Sequence, residues 1–105
     1  MVKKRWLPVL EEAKLVDDAI TEVYPRGVGI ILVRTGGRIY AIRNRCAHMA
    51  CPLGGGRLEG FTVECPCHDW KFDIRTGEFV TARELKVPTY ETRSEGGRVH
   101  VLMEV

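Results

Sequence analysis

The residues with the clearest chemistry form two mixed pairs, Cys46-x-His48 and Cys65-x-x-His68, with sixteen residues between them. Two further cysteines, Cys51 and Cys67, fall in the same window, which thereby holds all four cysteines and two of the three histidines. A disulfide-stapled secreted domain spreads its cysteines to close long loops. Clustering beside histidine, in a chain without a secretion signal, points to metal instead. Each half offers one thiolate and one imidazole, so two facing loops would present two sulfur and two nitrogen donors. Two metal classes want that set: tetrahedral zinc, and a [2Fe–2S] centre in which two histidines replace two cysteines on one iron. Zinc fingers usually pair like with like in each half, whereas each half here is mixed.

The elements that must hold these loops read as β. Residues 19–24 alternate and stop at Pro25, and residues 28–35 form a β-branched run. Gly36-Gly37 is a two-residue hairpin turn into residues 38–43. Beyond the window, residues 85–87 reach Pro88, residues 90–93 alternate, and Gly96-Gly97 turns the chain into residues 98–103. Short strands with Gly-rich turns at close spacing predict an all-β fold, a small antiparallel sandwich or barrel. The only helical candidate is about one turn at residues 10–15. Residues 44–77 read as a subdomain inserted in the flanking sheets, two loops on small hairpins, with Gly54-Gly55-Gly56 turning the first loop back. Trp70, Phe72 and Ile74 fall at period two and share one face, leaving Asp69, Lys71 and Asp73 on the other.

The 105 residues predict one domain, 1–105. At 45% apolar and 29% charged the composition is that of a globular chain. A formal charge of +2 is too small to argue for nucleic acid or an anionic membrane surface. The longest apolar stretch, residues 28–33, is far short of the roughly 18 residues of a membrane span. Lys3-Lys4-Arg5 reads as a solvated terminus, and Glu11, Glu12, Asp17 and Asp18 follow too closely for a signal-peptide core. A cytoplasmic chain is expected. His100 reads as an ordinary surface or half-buried histidine of the last strand. Arg43, Arg45 and Arg57 border the cysteine window and are nearly balanced by Glu59, Glu64 and Asp69. There is no nucleophile with its own base and no phosphate loop, so catalysis by this chain alone is not expected.

The cysteine–histidine segment resembles the Rieske iron–sulfur family, whose pattern is C-x-H followed after fifteen or more residues by C-x-x-H. The likeness runs through Cys46-Ala47-His48 and Cys65-Pro66-Cys67-His68 into Trp70-Lys71-Phe72-Asp73, Thr76-Gly77-Glu78 and Leu85-Lys86-Val87-Pro88-Thr89-Tyr90. It implies a [2Fe–2S] cluster with Cys46 and Cys65 on one iron and His48 and His68 on the other. Two ferric ions and two sulfides sum to plus two, so two thiolates and two neutral imidazoles leave the oxidised cluster neutral, where four thiolates would leave it at minus two. Adding an electron to a neutral cluster costs less, so histidine ligation raises the potential. The resemblance further implies that the electron settles on the histidine-bound iron, near solvent, and leaves from there to a partner.

Cys51 and Cys67 match the positions at which cytochrome bc-type members carry a disulfide bridging the two loops, so the resemblance implies a Cys51–Cys67 bridge. Read without it, they would be two buried thiols in a reducing cytoplasm. Other positions depart from the bc type. Its serine and tyrosine hydroxyls, which raise the potential, are replaced here by Trp70 and Phe72. Its Gly-Pro-Ala-Pro-like loop is replaced by Thr81-Ala82-Arg83-Glu84. The His68-Asp69-Trp70-Lys71-Phe72 run is similar to low-potential ferredoxins that serve bacterial oxygenases. The implied function is a soluble one-electron carrier between a flavin-dependent reductase and an oxygenase or similar acceptor. The alternatives are a small electron-transfer subunit of a larger complex such as a nitrite reductase, a zinc-binding interaction module on the same four ligands, and a thiol switch at Cys51 and Cys67.

Overall fold

The computed structural model of the chain describes residues 3–46, 51–67 and 70–104. These contain twelve strands and no α-helix: β1 (Lys4–Glu11), β2 (Thr21–Val23), β3 (Ile30–Thr35), β4 (Arg38–Arg43), β5 (Arg57–Glu59), β6 (Thr62–Glu64), β7 (Lys71–Asp73), β8 (Glu78–Phe79), β9 (Ala82–Lys86), β10 (Thr89–Tyr90), β11 (Thr92–Glu95) and β12 (Arg98–Glu104). They form three sheets, in the orders β1-β12-β11, β10-β4-β3-β2 and β5-β6-β7-β8-β9. Every paired strand is antiparallel to its neighbour.

The β10-β4-β3-β2 sheet lies between the other two, and this explains the composition of β3. Its Ile30-Ile31-Leu32-Val33 run is apolar without alternation because both faces of the strand are covered. Ile31 and Val33 join Ile42 in one buried cluster with Val63, Phe72 and Ile74 of the β5–β9 region. Ile30 and Leu32 point the other way, into a second cluster with Val99, Val101 and Met103 of β12. Gly36 and Gly37, at φ 60° and 79°, make the tight turn that sets the β3–β4 register from Thr35↔Arg38 to Ile30↔Arg43. The third sheet begins at Arg57, within the proposed inserted segment, and runs on past Gly77 to Lys86.

Four expectations need correction. Residues 3–5 are exposed, but Lys4 and Arg5 open β1, an eight-residue strand along β12. Pro8 hides that strand in the sequence because it can donate no ladder hydrogen bond. The structure accommodates it on a sheet edge, with a register shift between Pro8 and Leu10. The predicted helical turn is a 3-10 turn confined to Glu12–Lys14. Thr81-Ala82-Arg83-Glu84 is not wholly loop, since β9 begins at Ala82 and pairs back on β8.

Asp73 is the fourth case. Strict alternation puts it on the open face beside Lys71, yet it is buried while Lys71 is exposed. The chain turns at this point. Gly77 N–H donates to the Asp73 carbonyl at 2.7 Å, and the carboxylate accepts from Arg75 N–H, Nε and Nη2 at 2.9, 3.0 and 3.0 Å. The Arg75 guanidinium in turn lies 4.3 Å from the centre of the Phe61 ring. The side-chain hydrogen bond from Arg75 dominates, and it holds the Asp73 carboxyl below the usual carboxylate range against the opposing effect of burial. The folded state therefore favours the ionised form. Its contribution to stability is complete above the ordinary carboxylate pKa and disappears as pH falls through the lowered folded value. Asp73→Asn should cost roughly 2 kcal/mol near neutrality and flatten the acid limb of stability. Denaturant midpoints between pH 7 and pH 2 test this, and an unchanged acid limb would remove the carboxylate from the account.

Candidate metal centre

Cys46 follows the last residues of β4, and Cys65 follows β6. Both are buried, at 3% and 0% exposure, and both belong to the cluster that joins the middle and third sheets. A backbone hydrogen bond closes each loop at its neck. Cys46 N–H donates to the Cys51 carbonyl at 2.9 Å, and Cys65 N–H donates to the Trp70 carbonyl at 2.6 Å. The two segments so closed contain His48 and His68, which lie outside the described residues. The structure brings Cys46 and Cys65 into one core and is silent on the two imidazoles.

Cys51 and Cys67 are joined by a disulfide, with Cα atoms 6.5 Å apart across a sequence separation of 16. It ties one closed loop to the other. Cys65 Sγ lies close by, since the sulfurs of Cys51, Cys65 and Cys67 are all within 4.8 Å of one another. With two of the three sulfurs in a disulfide, this trio offers a metal only the Cys65 thiolate.

The return of the first loop is held by the glycine turn that the sequence predicts and by Asn44, whose part it does not reveal. The buried Asn44 donates its backbone N–H to the Gly29 carbonyl at 2.9 Å, and its Oδ1 accepts from Gly54 N–H at 2.6 Å. Leu53–Gly55 forms a 3-10 turn, and Gly56 N–H closes it on the Leu53 carbonyl at 2.9 Å. At Gly56 the chain passes so close to β6 that a Cβ would overlap the Glu64 carbonyl oxygen. That close approach, not a phosphate, accounts for Gly56. A buried Asn two residues before a cysteine is the one signal by which the clamp could have been found.

Beneath the second loop, Trp70 and Phe79 stack with ring centres 4.1 Å apart and planes 3° from parallel, and Phe72 packs 5.7 Å from Phe79. Phe72 and Ile74 are fully buried and Trp70 half-buried. They present an apolar floor with no hydroxyl at positions 70 and 72. Arg43 Nε donates to the Tyr90 hydroxyl at 2.8 Å, Arg57 faces Glu64 across β5 and β6, and Arg83 pairs with Glu78 at 2.9 Å. His100 is half-buried on β12, remote in sequence from the window.

The donor chemistry fits a [2Fe–2S] group with mixed ligation. Two ionisable sulfurs come from two separate loops into one apolar pocket, where a charge-neutral set of two thiolates and two imidazoles is cheaper to bury than four thiolates.

Comparison with known proteins agrees with this chemistry. The family model described as the Rieske [2Fe-2S] domain matches residues 5–91. The ferredoxin component of the naphthalene 1,2-dioxygenase system of Pseudomonas aeruginosa is 31% identical, over 93% of this chain and 95% of that protein. Among solved structures, the ferredoxin of carbazole 1,9a-dioxygenase from Nocardioides aromaticivorans superposes with a TM-score of 0.78 at 30% identity, covering 91% of this chain and 95% of that one. A chain in the complex of reduced oxygenase and oxidized ferredoxin of carbazole 1,9a-dioxygenase gives a TM-score of 0.82 at 28% identity, covering 91% of each.

Proposed function

The chain belongs to the Rieske [2Fe-2S] domain family, and from that premise we propose that Cys46, His48, Cys65 and His68 hold its cluster, within a cluster-binding segment spanning residues 44–77. It is an electron-transfer protein with a [2Fe–2S] cofactor, not a catalyst in its own right. When bound, the group stores and releases one electron. Cys46 and Cys65 would supply the two negative charges that balance the ferric pair, and His48 and His68 the neutral donors. Trp70, Phe72 and Ile74 keep water from the buried side, and the Cys51–Cys67 bridge holds the loops together.

The function supported best is a soluble carrier in the cytoplasm, taking electrons from a flavin-dependent reductase and delivering them to an oxygenase or similar terminal enzyme. One observation carries it: the two buried cysteines of the family pattern enter one core from two loops, in a chain whose relatives are named as ferredoxin components of oxygenase systems. No helix among the described residues is long and apolar enough to cross a membrane. The test is spectroscopic and then kinetic. Acid-labile sulfide and a rhombic Rieske-type EPR signal on reduction support the ligand set, and a colourless chain with stoichiometric zinc overturns it. Single-turnover oxidation of the reduced chain by an oxygenase, with free exchange between turnovers, supports the carrier. Isolation only at fixed stoichiometry with a large enzyme chain would make it a subunit instead.

The apolar floor adds a prediction about potential. A hydrogen bond that is stronger in the reduced state by roughly 1 kcal/mol is worth about 40 mV for one electron. Two missing hydroxyls then lower the potential by on the order of 100 mV. Protein-film voltammetry should give a value in the lower half of the family range of roughly −150 to +300 mV. A value near the top would refute the role given to Trp70 and Phe72.

A further inference from the structure

Two exposed residues at the β2 edge, Glu22 and Tyr24, are engaged with the return of the first loop. Glu22 stands opposite Ile31 in the β2–β3 register, and Ile31 belongs to the buried cluster that Cys46 and Cys65 share. Facing residues of an antiparallel pair point to the same side of a sheet. Glu22 therefore rises from the face of the middle sheet that carries the cysteine loops. Its neighbour Val23, opposite Ile30, is buried in the other cluster.

The Glu22 side chain lies across Gly54, where a Cβ would overlap its carboxylate. Its Oε2 accepts from the Tyr24 hydroxyl at 2.6 Å. The Tyr24 ring in turn packs over Gly29, where a Cβ would come within 3.4 Å of both the ring and the Asn44 Cβ. Neither Gly29 nor Gly54 has a positive φ, so it is space, not backbone conformation, that calls for glycine at both. Gly54 is thus gripped from two sides, at its N–H by Asn44 Oδ1 and across its Cα by Glu22. We propose that Glu22 and Tyr24 are positioning residues for the first loop, which they latch through Gly54. The hydrogen bond to Glu22 holds the Tyr24 phenol above its ordinary range, against the opposing effect of the Asn44 side chain, so the phenol remains a donor at neutrality. That the latched loop carries a cluster ligand rests on the set proposed above; the latch itself does not.

Gly54→Ala is the sharpest probe. Its methyl group displaces only the flexible end of Glu22 and leaves the Gly54 N–H, Asn44 and both latch residues in the chain. In the cluster-loaded full chain, Gly54→Ala and Glu22→Ala should each lower the protection of the residue-54 amide against hydrogen exchange by about threefold to tenfold, the size expected for one lost hydrogen bond. Bleaching of the visible absorbance should quicken by a similar factor. The double variant should match either single change, because both break the same contact. Glu22→Gln keeps an accepting oxygen and should stay within about twofold of wild type. The Tyr24 13Cζ resonance, which reads the hydrogen bond that the phenol donates, should move in Gly54→Ala although neither latch residue is altered. Single effects that multiply in the double variant, or Gly54→Ala with wild-type protection and an unmoved Tyr24 resonance, would overturn the latch. A wild-type chain without the Rieske-type EPR signal would instead remove the ligand set, while amide protection and the Tyr24 resonance would still decide for or against the latch.

Discussion

Cys65→Ser should yield a folded chain that retains less than a tenth of the wild-type cluster, read as iron and acid-labile sulfide per chain. A serine hydroxyl is not ionised near neutrality, so the substitution removes one of the two negative charges that balance the ferric pair. It also leaves an uncompensated positive charge in a pocket where Cys65 is fully buried. The fold itself should survive, because its two core clusters are built mainly on aliphatic and aromatic side chains of β3, β4, β7 and β12. The same loss is expected for Cys46→Ser. Replacement of His48 or His68 by cysteine should behave differently: a cluster that persists with added negative charge should have a much lower potential. Wild-type iron content and an unchanged EPR spectrum in Cys65→Ser would remove that residue from the ligand set.

The second large effect concerns the bridge. The double variant Cys51→Ser/Cys67→Ser releases a loop with a sequence separation of 16, for which the chain-entropy estimate is roughly 3 kcal/mol. For a domain of this size that corresponds to a fall in melting temperature of roughly 15 °C. The consequence for the site should be larger than for the fold. Among the described residues, the bonds left at the necks would include Cys46 to Cys51 and Cys65 to Trp70, with the Asn44–Gly54 contact on the first loop. Cluster loss at 25 °C, followed by bleaching of the visible absorbance, should quicken by at least tenfold. A double variant with wild-type melting and bleaching rates would show that the loops are held without the bridge.

Much of this protein could be read from its residues. The hairpin at Gly36-Gly37, the strands on either side of it and the final strand announce themselves because turn glycines and β-branched runs act locally. The four cysteines and two histidines of the window stood out by type and spacing alone. What alternation misread, it misread for one reason. Asp73 obeys the period-two rule up to the point where the chain turns, and the turn is held by Arg75, two residues on. β1 escaped notice because Pro8 looks like a strand breaker until the strand is known to lie at an edge beside β12.

The linear order of side chains was enough to determine donor chemistry, strand character and the likeness to one family, since thiolate, imidazole and β-branched packing are properties of residue type. It could not say that β3 would be covered on both faces, that Asn44 would reach Gly54, or that Cys65 would lie beside the bridge between Cys51 and Cys67. Those facts depend on which sheets meet. Contact across such distances in the chain is decided by how the whole set of apolar faces is buried at once, a property that no short window of sequence contains.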